Sequence, residues 1–181
     1  MIISDETLME QVRSGNLRRA AELFDRYNKP IYNFFVRLTL DRDLSNDLTQ
    51  NVFLRMLKYR KTYQIGKPFK AWIYQMARNI HADHYRKNQA RFSDVQYINQ
   101  VDTQLAGFED RIVQDEREKL LYVSLFKLSA EQREILILTR FQQMKHEEVA
   151  TVMDISVANV KVRVHRAMHK LKETYLELEK I

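Results

Sequence analysis

Cysteine is absent from the 181 residues, which removes disulfides and thiolate metal sites from consideration and suits a reducing compartment. Three glycines and two prolines are too few for a sandwich or barrel, whose chains turn often. No phosphate-cradling glycine loop, nucleophile elbow or HExxH zinc motif occurs. No stretch comes near the roughly 20 apolar residues of a spanning helix. Residues 1–10 are acidic and hold no apolar run of signal-peptide length. The expectation is a cytoplasmic chain without membrane insertion. Hydrophobic residues at 45% nevertheless suffice for ordinary cores, and the length suits one or two domains.

Charge is distributed unevenly. Residues 1–92 carry 17 basic and 9 acidic groups, residues 93–118 carry 2 and 7, and residues 119–181 carry 11 and 8. Two basic blocks separated by an acidic connector point to two domains and a polyanionic partner. Within the first block, residues 58–91 hold nine basic groups against one acid, Asp83, with Tyr59, Tyr63, Phe69, Trp72, Tyr74 and Tyr85 interleaved. Cations neutralise phosphates and flat rings stack on unpaired bases, the combination that a single-stranded nucleic-acid surface needs. A solvated helical face with core rings would have the same composition.

Periodicity predicts helices nearly throughout. Ser4 caps a first helix to about residue 14, with Asp5 and Glu6 complementing its dipole. Gly15 stops it and Asn16 caps the next, which runs from 17 to about 40 with a kink or break expected at Pro30. After a polar turn at 41–43, a helix to about 59 carries Leu44, Leu48, Val52, Met56 and Leu57 as its apolar stripe. Pro68 opens another helix at its first position, with Phe69, Trp72, Ile73, Met76, Ala77 and Ile80 inward. Residues 90–108 read as linker, and helix resumes near Asp110 with Ile112 and Val113 among its apolar positions. Ser129 and Gln132 form a capping box for a helix to about 143. A short helix at 147–153, a turn at Asp154, Ile155 and Ser156, and a long basic helix from Val157 to about Leu178 complete the chain in the helix-turn-helix pattern. The last helix carries Lys161, Arg163, His165, Arg166, Lys170 and Lys172.

These residues resemble the sigma-70 family of bacterial RNA polymerase sigma factors, in its small extracytoplasmic-function (ECF) group. The resemblance lies in LFDRY at 23–27, SNDLTQNVF at 45–53 and FKAWIYQMARN at 69–79 of the first block. It continues in LSAEQRE at 128–134, EEVA at 147–150 and VKVRVHRA at 160–167 of the last. It implies an all-α chain of two small helical domains, at 1–90 and 119–181, joined by an acidic linker at 91–118. It implies that Asp47, Leu48, Gln50, Asn51 and Phe53 dock on core polymerase. The loop with Tyr63, Gln64, Ile65, Gly66, Lys67 and Phe69, with Trp72 beside it, would capture an unstacked non-template base of the −10 element. Asn79, Asp83, Arg86 and Lys87 would meet the duplex just upstream, and Ser156, Asn159, Lys161, Val162, Arg163, His165 and Arg166 the −35 element. Asn159 stands where the family commonly has threonine and Val162 where it has serine. Core RNA polymerase, promoter DNA both duplex and melted, and an anti-sigma factor are the implied partners.

Two other readings stay open on the residues alone. A stand-alone helix-turn-helix regulator would share the last domain, but leaves the 47–53 face and the basic aromatic block without a purpose. A metal-dependent enzyme would use His81 with His84, or His165 with His169, each pair on one helix face. Neither pair has carboxylates enough for a hydrolytic site, and Arg163, Arg166 and Lys170 would repel a cation. No catalytic residue, cofactor, metal or small-molecule substrate is expected.

Overall fold

A computed structural model describes residues 3–89 and 116–180. Every regular element among them is helical. The connector as far as 115, the helix start expected near Asp110 and the positions Ile112 and Val113 lie outside the described residues. The chain divides into two compact units, the first built on residues 1–87 and the second on most of the chain beyond residue 87.

In the first unit, α1 (Asp5–Arg13) starts as its composition dictates: the Ser4 hydroxyl accepts from the Thr7 amide at 3.2 Å. Leu8, Met9 and Val12 are fully buried, so this short helix is docked rather than frayed. Gly15 adopts a φ of +114° that ends it. Asn16 makes no side-chain cap; a 3-10 turn at Leu17–Arg19 leads instead into α2 (Ala20–Thr39).

The break expected at Pro30 does not occur, since α2 runs through it. Proline removes a single backbone bond, to the carbonyl of Arg26. Leu23, Tyr27, Ile31, Phe34, Phe35 and Leu38 are buried on both sides of it. Each large apolar side chain gains about 1.5–3 kcal/mol from burial, so keeping all of them on one continuous helix outweighs the roughly 3 kcal/mol of an interior proline. Leu40 closes the helix in the left-handed region at φ 56° and is itself buried. Burial offsets the 1–2 kcal/mol or so that a non-glycine residue costs there.

Asp41 caps α3 (Arg42–Lys58) through the Leu44 amide at 2.9 Å, and Leu48, Val52 and Met56 pack inward against α2. A 3-10 turn at Arg60–Thr62 and an exposed loop lead to α4 (Phe69–Gln89). The Trp72 amide donates to the Pro68 carbonyl at 3.3 Å, so Pro68 sits just outside the helix rather than at its first position. The buried face of α4 is Phe69, Ala71, Ile73, Tyr74, Ala77 and Ile80; Tyr74 joins the core, while Trp72 and Met76 are half-buried.

The second unit contains α5 (Glu116–Phe126), α6 (Ala130–Leu136), α7 (His146–Met153) and α8 (Val157–Leu178). The capping box at α6 is present in both directions, Ser129 with Gln132. Arg133 lies over the Phe126 ring at 4.0 Å and donates to the carbonyls of Phe126 and Leu128, satisfying the end of α5. The helix expected to reach 143 instead widens into a π-helical turn at Ile137–Phe141, the Gln142 amide reaching back to the Ile137 carbonyl at 2.9 Å. The wider turn buries Ile137 as well as Ile135, Leu136 and Leu138, four consecutive residues that a regular amphipathic helix would not bury together.

Pro30→Ala is expected to raise stability by about 2 kcal/mol, the interior-proline penalty less a gain in unfolded-state entropy of roughly 0.4–1 kcal/mol. Thermal unfolding with unchanged helical circular dichroism checks this. A lower melting temperature would mean that proline stabilises a conformation of α2 that alanine cannot hold.

Candidate nucleic-acid and partner interfaces

On α3 the positions 43, 47, 50 and 54 fall on one line along the helix. Asp43, Asp47 and Gln50 are exposed, and so is Leu54, at 67%. Asn51 is half-buried, while Leu48 and Phe53 are buried. Phe53 packs its ring 4.8 Å from Phe24. Of the five residues assigned to docking, Asp47 and Gln50 are therefore the outward ones, and Leu48 and Phe53 hold the helix in place. Leu54 is the member that the sequence reading passed over. Its signal was present, because it lies two residues from both Val52 and Met56, off the apolar stripe.

The loop before α4 divides in the same way. Gln64, Ile65, Gly66, Lys67 and Pro68 are exposed, Ile65 at 60%. The Lys67 amide closes a turn on the Gln64 carbonyl at 3.1 Å, with Gly66 at φ +80°, a backbone position that a side chain would strain. Tyr63 and Phe69, by contrast, are 1% and 0% exposed. The Tyr63 hydroxyl donates to the Lys67 carbonyl at 2.5 Å. Burial, aided by the charges of Glu6, Glu10 and Asp5, pushes that hydroxyl up to about 12, so it remains a protonated donor at physiological pH. Tyr63 staples the loop from inside. Of the six interleaved aromatics, Tyr63, Phe69 and Tyr74 are core, Trp72 is half-buried, and Tyr59 and Tyr85 are exposed.

Along α4, Asn79, Asp83 and Arg86 succeed one another at helical spacing with Lys87 beside them. Asn79, Arg86 and Lys87 are exposed and Asp83 is partly so. Asp83 pairs with Arg86 at 2.5 Å and with Arg55 of α3 at 3.4 Å. The hydrogen bond from Arg86 foremost, with Arg55 adding and partial desolvation opposing, holds its carboxyl below the usual 3.8.

In the second unit, Asp154 takes φ 55° in the turn, a conformation aspartate tolerates. The Ser156 hydroxyl accepts from the Asn159 amide at 3.2 Å, so its side chain serves the start of α8. Val160, Val164, Ala167 and Thr174 face inward. Asn159, Lys161, Val162, His165 and Arg166 are exposed, and positions 161, 162, 165 and 166 form two adjacent i,i+4 rows. Arg163 is pulled aside by an ion pair with Glu131 of α6. His169 lies 3.4 Å from Glu173, and among the described residues no group of three or more metal-ligating side chains forms. No helix among them is long and apolar enough to cross a membrane.

Known proteins share this arrangement. The model of sigma-70 region 2 matches residues 23–91 and that of sigma-70 region 4 matches 119–171. The RNA polymerase sigma factor CarQ of Myxococcus xanthus is 30% identical, over 94% of this chain and 97% of that one. The ECF RNA polymerase sigma factor SigM of Bacillus subtilis is 29% identical, over 85% and 93%. Among solved structures, CnrH in complex with the cytosolic domain of CnrY superposes with a TM-score of 0.71 at 25% identity, covering 93% of this chain and 95% of that one. The sigma factor RpoE of Bartonella quintana, in complex with the anti-sigma factor NepR, gives 0.67 at 20% identity, covering 85% and 94%.

The Asp83 triad yields a test. Its carboxylate is charged above the usual carboxylate range and loses charge only as pH falls through its depressed value, so the triad persists throughout pH 5–8 or so. Asp83→Asn releases two guanidinium groups toward phosphates. Duplex affinity of the isolated chain is then expected to rise, with a salt slope steeper by up to about 2, and stability to change by no more than about 0.5 kcal/mol. Weaker duplex binding would instead give Asp83 a contact of its own with DNA.

Proposed function

Because the chain belongs to the sigma-70 family of RNA polymerase sigma factors, in its ECF group, and acts as a promoter-specificity subunit of the polymerase, we propose a division of labour among its exposed surfaces. Residues 1–90 form the domain that faces core polymerase and the −10 element, 91–118 the connector, and 119–181 the domain that faces the −35 element. The α3 row of Asp47, Gln50 and Leu54 docks on core polymerase, with Asn51 at its edge and Leu48 and Phe53 behind. The turn at 64–67 receives an unstacked non-template base, and Asn79 and Lys87 meet phosphates and duplex just upstream, with Arg86 beside them held on Asp83. Trp72, Tyr59 and Tyr85 offer the ring surface for stacking, worth roughly 1–3 kcal/mol per base.

The −35 element is read by α8. A helix in the major groove needs long donors on its outward face near the N-terminal half, and Lys161, His165 and Arg166 supply them. Val162 offers an apolar contact suited to a thymine methyl. Ser156 and Asn159 shape the helix entry, and Arg163 positions α8 on α6 through Glu131.

The observation that carries this division is the exposure pattern: in each unit one helix buries one face and turns a separate polar or basic row outward. Sigma factors work as non-enzymatic recognition subunits, and we propose no reaction and no cofactor for this chain. Its place is with the polymerase in the cytoplasm. The RpoE structure was captured with an anti-sigma factor, and a partner of that class is proposed here too.

A two-by-two experiment tests the division. Asp47→Ala with Gln50→Ala is expected to lower core-polymerase binding by more than about tenfold, while stability stays within about 0.5 kcal/mol as for surface changes generally. Arg166→Ala should keep core binding but cost about 1–3 kcal/mol on the −35 duplex and relax preference at one or two base pairs. Loss of both activities in both variants would show that the rows do not have separate tasks.

A further inference from the structure

The turn at 64–67 is exposed along its whole length, yet a base can be captured cheaply only by a loop already in shape. Ordering flexible backbone costs about 1–2 kcal/mol per residue. Two contacts set this shape. The first is the Tyr63 hydroxyl on the Lys67 carbonyl. The second comes from far away in sequence: a carboxylate oxygen of Glu6, in the first turn of α1, accepts the Phe69 amide at 3.1 Å. Phe69 is the first residue of α4, where amides lack partners within the helix. The local sequence cannot supply a cap, because Lys67 and Pro68 carry no side-chain acceptor and Gly66 has no side chain. Glu6 acts as the cap for a helix that begins 63 residues later.

Helix α1 is itself fixed for this task. Asp5 pairs with Arg26 and accepts from the Tyr27 hydroxyl, both at 2.5 Å, and Arg26 also donates to the Ile3 carbonyl at 2.8 Å. Tyr27 in turn packs edge-on against Phe69 with centroids 5.1 Å apart. The two acids of α1 thus hold opposite sides of one joint, Asp5 on α2 and Glu6 on α4. Both acids lie N-terminal to residue 23, where the region 2 match begins.

We propose that Glu6 is a positioning residue for promoter melting: it caps α4 and fixes the loop at 64–67 in the conformation that accepts an unstacked base. This rests on that loop being the base-receiving element. The contact acts after duplex binding, because it shapes the base-receiving turn and adds nothing to the phosphate-facing row.

The test uses the reconstituted holoenzyme on a promoter selected with the wild-type protein. Closed-complex affinity and the rate at which unpaired thymines become reactive to permanganate are measured separately. Glu6→Ala is expected to slow melting about fivefold, the change to which loss of an ordinary helix cap corresponds, while closed-complex affinity is kept. Glu6→Gln retains an oxygen acceptor and should restore most of the rate; Glu6→Asp, too short to reach, should not. In the isolated chain, amide exchange at Phe69 should quicken in the Ala and Asp variants and not in Gln. A double Ile65→Ala, Lys67→Ala variant tests the loop itself. Normal melting by Glu6→Ala beside slow melting by the double variant would overturn the role of Glu6 alone. Normal melting by the double variant would overturn the loop reading and the proposal with it. Equal losses of closed-complex affinity and melting rate in Glu6→Ala, unrescued by Gln, would assign Glu6 to general folding and refute the proposal.

Discussion

Four rings packed in sequence, Tyr27 on Phe69, Phe69 on Trp72 and Trp72 on Tyr63, are the joint on which the first unit depends. Their centroids lie 5.1, 6.1 and 5.4 Å apart, within the range in which aromatic pairs attract beyond their burial. The joint binds α2, the loop and α4 together, and α1 closes over it through Asp5 and Glu6. Function bears a cost. A ring sealed in the core cannot stack on a base, and of the six aromatics in the basic stretch Tyr63, Phe69 and Tyr74 are so sealed. The exposed turn and the rings of Tyr59 and Tyr85 are what this leaves at the surface.

Electrostatics obeys the same economy in both units. The carboxylate of Asp83 takes up Arg55 and Arg86, and Glu131 takes up Arg163. Pairs as exposed as these add little stability. Their effect is to hold some cations against the protein's own helices and leave others outward. On α8 this leaves Lys161, His165 and Arg166 outward, with Arg163 turned to Glu131.

Much of this was legible in the sequence wherever the signal is local. Ser4, Ser129 and Ser156 each cap the helix that their spacing announced, the chain turns at Asp154, and α8 runs over the residues expected. Of the kink or break expected at Pro30 the break does not occur, because a local penalty is outweighed by the buried rows on either side of it. The π-helical turn after α6 was invisible, since four consecutive apolar residues at 135–138 fit either helical period. Tyr63 and Tyr74 were read with the basic residues around them, and composition does not distinguish a ring facing out from a ring facing in. Glu6 reads as an ordinary first-turn acid; only the fold brings it to Phe69. In the candidate interfaces, Asp47, Gln50, Lys161 and Arg166 are exposed, as polar positions off the apolar stripes should be, while inward Leu48 and Phe53 and outward Leu54 needed the helix to be set against its neighbours.

The central claim is that one chain carries surfaces for two promoter elements that work only when core polymerase joins them. The most direct measurement is the affinity of the chain for promoter duplex at physiological salt, with and without core polymerase, on templates in which the spacing of the two elements is varied. The account predicts weak, steeply salt-dependent binding by the chain alone, indifferent to spacing, and tight spacing-dependent binding once core is added. Sequence-specific binding by the chain alone with a dissociation constant of about 10⁻⁸–10⁻¹¹ M, unimproved by core polymerase, would contradict it.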